Sequence, residues 1–330
     1  MTPLLLGVDG GATKTVALIA DPSGQVLGAG RSGSSDIHNE ASPELAVDSV
    51  VACVQEAAAT AGVDPADLAA PVFGLCGADW PEDVDYYARA LTEHLALGQR
   101  PAVKNDAFNT LRAGRSDGIG VALVLGTGAA VAARGPDGDT WFTGERIEAS
   151  GAGELGRRAF ELIIGGEYGA GPEPGFRHAA MDLYGVSSVE AMIHAITRVG
   201  APGRSSLGRL APVLLEASHT GDPLAQDIIR EHGRLLAGYV RRAAKRAGLG
   251  DAGTSVVLAG GVIKHRCRDL RDAVAAALPE YSIESARLEP VHGALLMAAD
   301  RYGVEPDVEV LRTTSPGPSF FDTSQEEAGL

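Results

Sequence analysis

The sequence predicts an α/β protein built from two related halves, and three observations carry that prediction. Two apolar runs are each broken by a short glycine-bearing tip, Asp9-Gly10-Gly11 and Gly126-Thr127-Gly128, and then resume, as the strands of a β-hairpin do. Beyond each hairpin, further short apolar runs alternate with stretches of helical periodicity. A later apolar run, Val256–Ala259, opens into Gly260-Gly261 and then into another helical stretch.

The elements follow in order. Strands are expected near 3–9, 14–20 and 25–30, the first two forming the first hairpin. Ser42-Pro43 reads as an N-cap with proline at the first helical position, and Gly62 as a stop, which brackets a helix over 43–61. Strand Pro71–Cys76, helix 81–97, strand Pro101–Asn105 and helix 107–113 come next. The second half opens with strand Ile119–Leu125, turns at 126–128, returns over Ala129–Arg134 and adds a short strand at Trp141–Thr143. Residues 154–248 read as a largely helical insertion, broken at Gly169–Pro172 and Gly200–Gly203. Strand 254–259 and helices 264–278 and 291–302 complete the core. The Pro/Ser/Thr/Glu-rich end reads as a loosely held tail. The domain division is therefore 1–114, with helix 291–302 packing back on it, then 115–290 with its insertion, then a flexible tail over 303–330.

Composition narrows the function. The chain has 330 residues and a formal net charge of −15, which argues against a nucleic-acid partner. An anionic ligand must then be held by local donors. Three separated cysteines, Cys53, Cys76 and Cys267, read as reduced thiols. With no apolar run of membrane-spanning length and no signal-peptide pattern at Met1–Leu6, a cytoplasmic protein without membrane attachment is expected. The eight histidines show no ligand-like pairing.

The first tip carries Asp9, two glycines, Thr13, Lys14 and Thr15. Glycines admit an anion close to backbone N–H groups, hydroxyls and the ammonium add donors, and Asp9 can hold a hydrated Mg²⁺ against phosphate oxygens. A plain Asp-Gly hairpin turn reads equally well there, as it does at 126–128. Gly260-Gly261 suits a flat base or ribose lying on the backbone, or simply a tight strand-to-helix turn. Asp106 can accept a proton from an attacking hydroxyl, or it can cap the helix that follows, a duty Asn105 would serve as well. Two strings imitate the dinucleotide fingerprint. Gly28-x-Gly30-x-x-Gly33 opens no helix, and Gly151-x-Gly153-x-x-Gly156 follows no convincing strand.

Taken together and in order, Asp9–Thr15, Asn105-Asp106-Ala107, Leu125–Gly128, Leu258–Val262 and Leu288–Leu296 resemble the BadF/BadG/BcrA/BcrD ATPase family. That family includes the N-acetylglucosamine and glucosamine kinases within the actin/hexokinase/heat-shock-chaperone superfamily. The resemblance spans residues 3 to 302 and implies duplicated ribonuclease-H-like halves, the actin-like ATPase fold, with an ATP cleft between them. It implies ATP and Mg²⁺ as cofactors, and an ATP site made of Gly10, Gly11, Ala12, Thr13, Lys14 and Thr15, of Gly126, Thr127 and Gly128, and of Gly260 and Gly261. Asp9 would position Mg²⁺ through water, and Asp106 falls where the family's sugar kinases place the catalytic base. The implied partner is a small sugar-like molecule, and a homodimer fits the family.

The acceptor-binding signature departs from the pattern. Ser35-Asp36 stands where similar kinases carry Ser-Asn, and Gly153-Glu154-Leu155-Gly156 replaces Gly-Asp-Glu-Gly without the preceding Gly-Trp-Gly. Ser35, Asp36, Asn105, Asp106 and Glu154 are the expected substrate contacts, with Glu148 as an added acceptor. A solvated helix start explains Glu154 and Glu148 equally well. The expected activity is phosphoryl transfer to a hydroxyl of an amino sugar or related polyol. The rivals are a non-catalytic nucleotide or sugar sensor, and an activator ATPase holding an iron–sulfur cluster on cysteines.

Overall fold

The structure is a computed structural model and describes residues 3–144, 151–201, 203–250 and 252–321. The chain divides into two units, Met1–Ile119 with Ser285–Leu330, and Gly120–Glu284.

In the first unit, β1 (Leu4–Gly10), β2 (Thr15–Ala20) and β3 (Val26–Ser32) form an antiparallel meander. β4 (Leu68–Leu75) then joins β1 in parallel, and β5 (Ala102–Lys104) joins β4. The helices are α1 (Pro43–Ala61), α2 (Pro81–His94) and α3 (Ala107–Gly114). β1, β2 and β4 are buried on both faces, so they read as continuous apolar runs. Side chains alternate across the pleat: Leu6 and Val8 meet Val50 and Val54 of α1, whereas Leu5 meets Val291 and Leu295 from the far end of the chain.

The second unit repeats this plan. β6 (Gly120–Leu125) and β7 (Ala129–Arg134) pair antiparallel, β8 (Thr140–Phe142) follows β7, and β9 (Ser255–Ala259) lies parallel beside β6. The sheet orders are β3-β2-β1-β4-β5 and β8-β7-β6-β9-β10, where β10 is Ser282–Ser285. The two halves thus share one topology, and the duplication read from the tips is real. β10 escaped the sequence reading because Ser-Ile-Glu-Ser, half-exposed at a sheet edge, carries no apolar run.

The helical insertion consists of α4 (Ala152–Glu167), α5 (Arg177–Tyr184), α6 (Val189–Thr197), a 3-10 turn at Arg204–Leu210, α7 (Ala211–His219) and α8 (Pro223–Arg246). The helix expected over 264–278 is two pieces, α9 (Gly261–Lys264) and α10 (Asp269–Ala276). α11 (Pro290–Tyr302) closes the first core.

The glycines of the two imitation fingerprints have packing reasons. A Cβ on Gly28 or Gly30 would lie 2.1 or 2.0 Å from the carbonyl oxygens of Ala57 or Cys53, so they let α1 touch β3. One on Gly156 would lie 1.7 Å from the Leu207 oxygen.

The end of the chain differs from the flexible tail expected over 303–330. Within the described residues it forms α12 (Val308–Thr314) and α13 (Pro318–Phe321), with Leu311 fully buried against the α11 core. Asp307 caps α12 and its N–H donates to the Ser23 carbonyl at 2.9 Å, while the Val26 N–H donates to Thr314 Oγ1 at 3.0 Å. Its polar composition hid one buried leucine and two anchoring aromatics, Phe320 and Phe321, which are enough to dock a segment.

Candidate functional site

The first tip is held from below. Gly11 N–H donates to the Lys14 carbonyl at 2.7 Å, closing the turn, and the Gly11 and Gly10 carbonyls accept from Ser35 and Cys76 N–H at 3.0 and 2.7 Å. Gly10 is required for this: a Cβ there would lie 2.4 Å from Ser35 Oγ. The amides of exposed Ala12 and Thr13 have no backbone partner among the described residues, which leaves them as donors facing outward. The Lys14 ammonium donates to the Phe321 carbonyl. Thr15 departs from the expected role. It is fully buried in β2 and its hydroxyl donates to the Gly33 carbonyl at 2.8 Å, so it anchors the tip and offers a phosphate nothing.

Asp9 stands at the end of β1, and Asn109 on α3 donates from Nδ2 to its Oδ1 at 2.7 Å. Burial pushes the Asp9 carboxyl up to about 6, against the lowering effects of Asn109 and the Lys14 charge. Asn109 is fully buried, and the same nitrogen lies 3.2 Å from the Gly74 carbonyl. The sequence reading missed this positioning residue. Its signal is Gly74, where a Cβ would lie 2.0 Å from the Asn109 amide, a pairing between residues remote in sequence.

Asp106 follows β5. Asn105, and not Asp106, makes the capping bond: its Oδ1 accepts from Ala107 N–H at 3.1 Å while its Nδ2 donates to Asp79 Oδ1 at 2.9 Å. The Asp106 carboxyl is pushed up to about 8, first by desolvation and then by the charges of Asp9 and Asp79, against a lowering contribution from the nearby Ala107 N–H and with a smaller raising one from Asp36. These four carboxylates therefore neighbour one another at one end of the first sheet, and the raised values of Asp9 and Asp106 mark a functional site. Ser35 and Asp36 lie in the same neighbourhood; the Asp36 carboxylate is occupied, whereas the Ser35 hydroxyl has no partner among the described residues. Ser35 is fully buried, and its carbonyl accepts from Tyr87 Oη. Asp36 holds its own loop, accepting from His38 N–H at 3.0 Å, Asn39 Nδ2 at 2.5 Å and the Cys76 thiol at 3.4 Å.

In the second unit, Gly126 N–H donates to the Gly128 carbonyl at 2.9 Å, and the Ala152 and Gly153 N–H groups donate to the Gly126 and Thr127 carbonyls. The start of α4 thus fixes the second tip, and a Cβ on Gly151 would lie 2.2 Å from the Gly128 oxygen. Added Cβ atoms on Gly126, Gly128 and Gly261 would meet nothing within 4 Å, so packing does not demand these glycines. Gly126 and Gly128 leave open space on either side of exposed Thr127, as a close-lying ligand needs. Gly260 is different: its φ is +94° and a Cβ would lie 2.2 Å from the Leu125 oxygen, so it bends β9 away under structural compulsion. Glu154 lies in the first turn of α4 and is bonded at 2.6 Å to Arg157, the arrangement of a helix start. Glu148 lies outside the described residues.

Within the first unit, the amides of Ala12 and Thr13 with Lys14 and Asp9 are a donor set that suits phosphate oxygens and Mg²⁺; within the second, the open glycines at 126 and 128 suit a close-lying anion.

Residues 6–161 match the sequence profile of the BadF/BadG/BcrA/BcrD ATPase family. The N-acetyl-D-glucosamine kinase of Dictyostelium discoideum is 22% identical over 311 residues, which cover 89% of this chain and 97% of that protein. Glucosamine kinase GspK of Vibrio cholerae is 24% identical over 235 residues, 68% of this chain and 75% of its own. Among solved structures, a provisionally named N-acetylglucosamine kinase from Chromobacterium violaceum shares the fold with a TM-score of 0.70 at 24% identity, covering 90% of this chain and 99% of its own. These matches bear out the resemblance drawn from the five motifs, and the actin-like ATPase fold with it.

Proposed function

We propose that this chain, which carries the BadF/BadG/BcrA/BcrD ATPase signature over residues 6–161, is an ATP-dependent kinase acting on a hydroxyl of an amino sugar or a closely related sugar or cyclitol. The observation that carries this reading is Asp106: an acid relieved of capping by Asn105, perturbed by neighbouring carboxylates, at the sheet end that also bears Asp9.

Asp106 takes the proton of the acceptor hydroxyl as that oxygen bonds to the γ-phosphorus. The bond from the γ-phosphorus to the β–γ bridging oxygen breaks, and its electron pair leaves with ADP. Amides of Ala12 and Thr13, with Lys14, hold phosphate oxygens, and in the second unit the Thr127 and Gly128 N–H groups are the corresponding donors. Gly260 and Gly261 lie against the adenosine. Mg²⁺, when bound beside Asp9, neutralises charge on those oxygens. ADP release measured against a panel of amino sugars, neutral sugars and cyclitols tests the assignment. Turnover confined to amino sugars supports it, and release with none of them favours a sensor. The activator-ATPase reading is weakened by Cys53, which is wholly buried with its thiol directed at the Thr15 and Gly30 carbonyls, a poor position for a cluster ligand.

Two further outcomes follow. Because the base must be ionised and its carboxyl lies at about 8, kcat/KM for the sugar should rise with pH until about 8 and then level. A profile flat from pH 6 to pH 9 would contradict the role. Lys14 is engaged by the Phe321 carbonyl, so ATP must displace that contact. Truncation before Gly317 should therefore lower KM for ATP, by about tenfold to a hundredfold given the worth of a hydrogen bond to a charged group. Initial rates at fixed sugar read this directly.

A further inference from the structure

Glu216, His265 and Cys267 form a side-chain cluster that the reaction does not use. Glu216 projects from the last turns of α7, and His265 and Cys267 from the link between α9 and α10. One carboxylate oxygen, one imidazole nitrogen and one sulfur lie within 4.8 Å of one another, with His265 Nε2 at 3.6 Å from Glu216 Oε1. A tetrahedral ion with ligands at about 2.0–2.3 Å separates them by about 3.3–3.8 Å, so closing the cluster needs only small side-chain shifts. We propose that Glu216, His265 and Cys267 bind a divalent transition metal, with Zn²⁺ as the preferred ion.

The ligand chemistry selects the ion. Sulfur and imidazole with a single carboxylate suit Zn²⁺, whereas Mg²⁺ and Ca²⁺ prefer all-oxygen sites. Cys267 is 3% exposed while Glu216 and His265 are partly open, so the sulfur is shielded and a water can reach the fourth position. The two segments are already joined beside the cluster. Asp269, at the start of α10, accepts from Ser218 Oγ at 3.0 Å and lies 3.0 Å from His219 Nδ1, both on α7. The two segments are thus held together before any ion arrives, and the ion would tighten an existing contact between α7 and the α9–α10 link.

Binding also has opposing terms. The Cys267 thiol shares a hydrogen bond with Glu216, and its proton must leave to solvent as sulfur bonds to the metal, one proton for each ion bound. Arg266 Nε donates to Glu216 Oε1 at 2.6 Å, so the second carboxylate oxygen is the freer ligand, and the exposed guanidinium can swing aside. Ligation through Nε2 places the ring proton on Nδ1, so the Cys267 N–H contact to Nδ1 at 3.2 Å is given up.

Cobalt supplies the test because it reports its own ligands. The full chain, stripped with chelator and titrated with Co²⁺, should bind one equivalent and develop a thiolate-to-cobalt charge-transfer band with the visible bands of a tetrahedral ion. Zn²⁺ should displace it and raise the melting temperature. Cys267→Ser should lose the charge-transfer band, and Glu216→Gln should weaken Co²⁺ binding about tenfold or more. Glu216→Gln changes a partly exposed side chain, so it serves if Cys267→Ser folds poorly. Absence of the charge-transfer band, its persistence in Cys267→Ser, or Co²⁺ affinity unchanged in Glu216→Gln overturns the proposal. ADP release by the chelator-stripped chain resupplied with Mg²⁺ alone is read separately, so a failed metal site leaves the kinase assignment standing.

Discussion

Replacing Asp106 by Asn is expected to lower kcat for sugar phosphorylation by about 10²–10⁴, the range of a general base, while ATP binding stays within about twofold. The amide fills the same volume and cannot take a proton. Asn105 still caps α3, and Asp9 and the outward amides remain in place. The same substitution should raise stability in alkaline solution. A carboxyl whose value is raised from 3.8 to about 8 on folding favours the fold while protonated. That contribution is full below about pH 4 and is lost progressively as pH climbs through about 8. Asn carries no such charge, so the variant should melt higher than the parent at pH 9 and similarly at pH 4. Single-turnover phosphoryl transfer with paired melting curves separates the two effects. Undiminished turnover in the variant would remove Asp106 from the mechanism.

Gly7→Ala should produce a large loss of stability in the first unit. A Cβ at Gly7 would lie 2.2 Å from Leu295 N and 2.5 Å from Leu295 Cα, and backbone cannot rotate away as a side chain does. α11 must then lift from β1, and Leu295 and Leu296, both nearly fully buried, lose contact with the sheet. Overpacking typically costs about 1–3 kcal/mol, and a backbone-on-backbone clash belongs at the upper end. A fall in melting temperature of roughly 10 °C is expected for a unit of this size. Gly62→Ala is the comparison: Gly62 has φ +69° but nothing within 4 Å of an added Cβ, so it suffers local backbone strain without separation of packed elements and should lose less. Equal losses in the two variants would refute the close-approach argument.

The clarity of the fold in the sequence has a physical origin. Strands covered on both faces must be apolar throughout, so β1, β2, β6 and β9 stand out as runs such as Leu4–Gly10 and Ser255–Ala259. Helix α1 matched its expected limits because Pro43 and Gly62 act locally, through a fixed φ and a left-handed stop. Edge strand β10 and the docked end of the chain lacked such marks, since half-exposed residues need not be apolar and Leu311 alone carries the burial of α12.

The site divides along the same line. The two glycine-bearing tips and their repetition were legible from the residues alone, and Asp9 and Asp106 stood out as candidates, because turn chemistry and strand ends are written in neighbouring residues. Tertiary structure alone decided that Asn109 secures Asp9, that Asn105 relieves Asp106 of capping, that Thr15 faces inward, and that Glu216 meets Cys267. Each of these depends on a partner from another element or on which way a side chain is directed. Local sequence specifies backbone conformation, but the hydrogen-bond partner of a buried polar group is fixed only once distant elements pack.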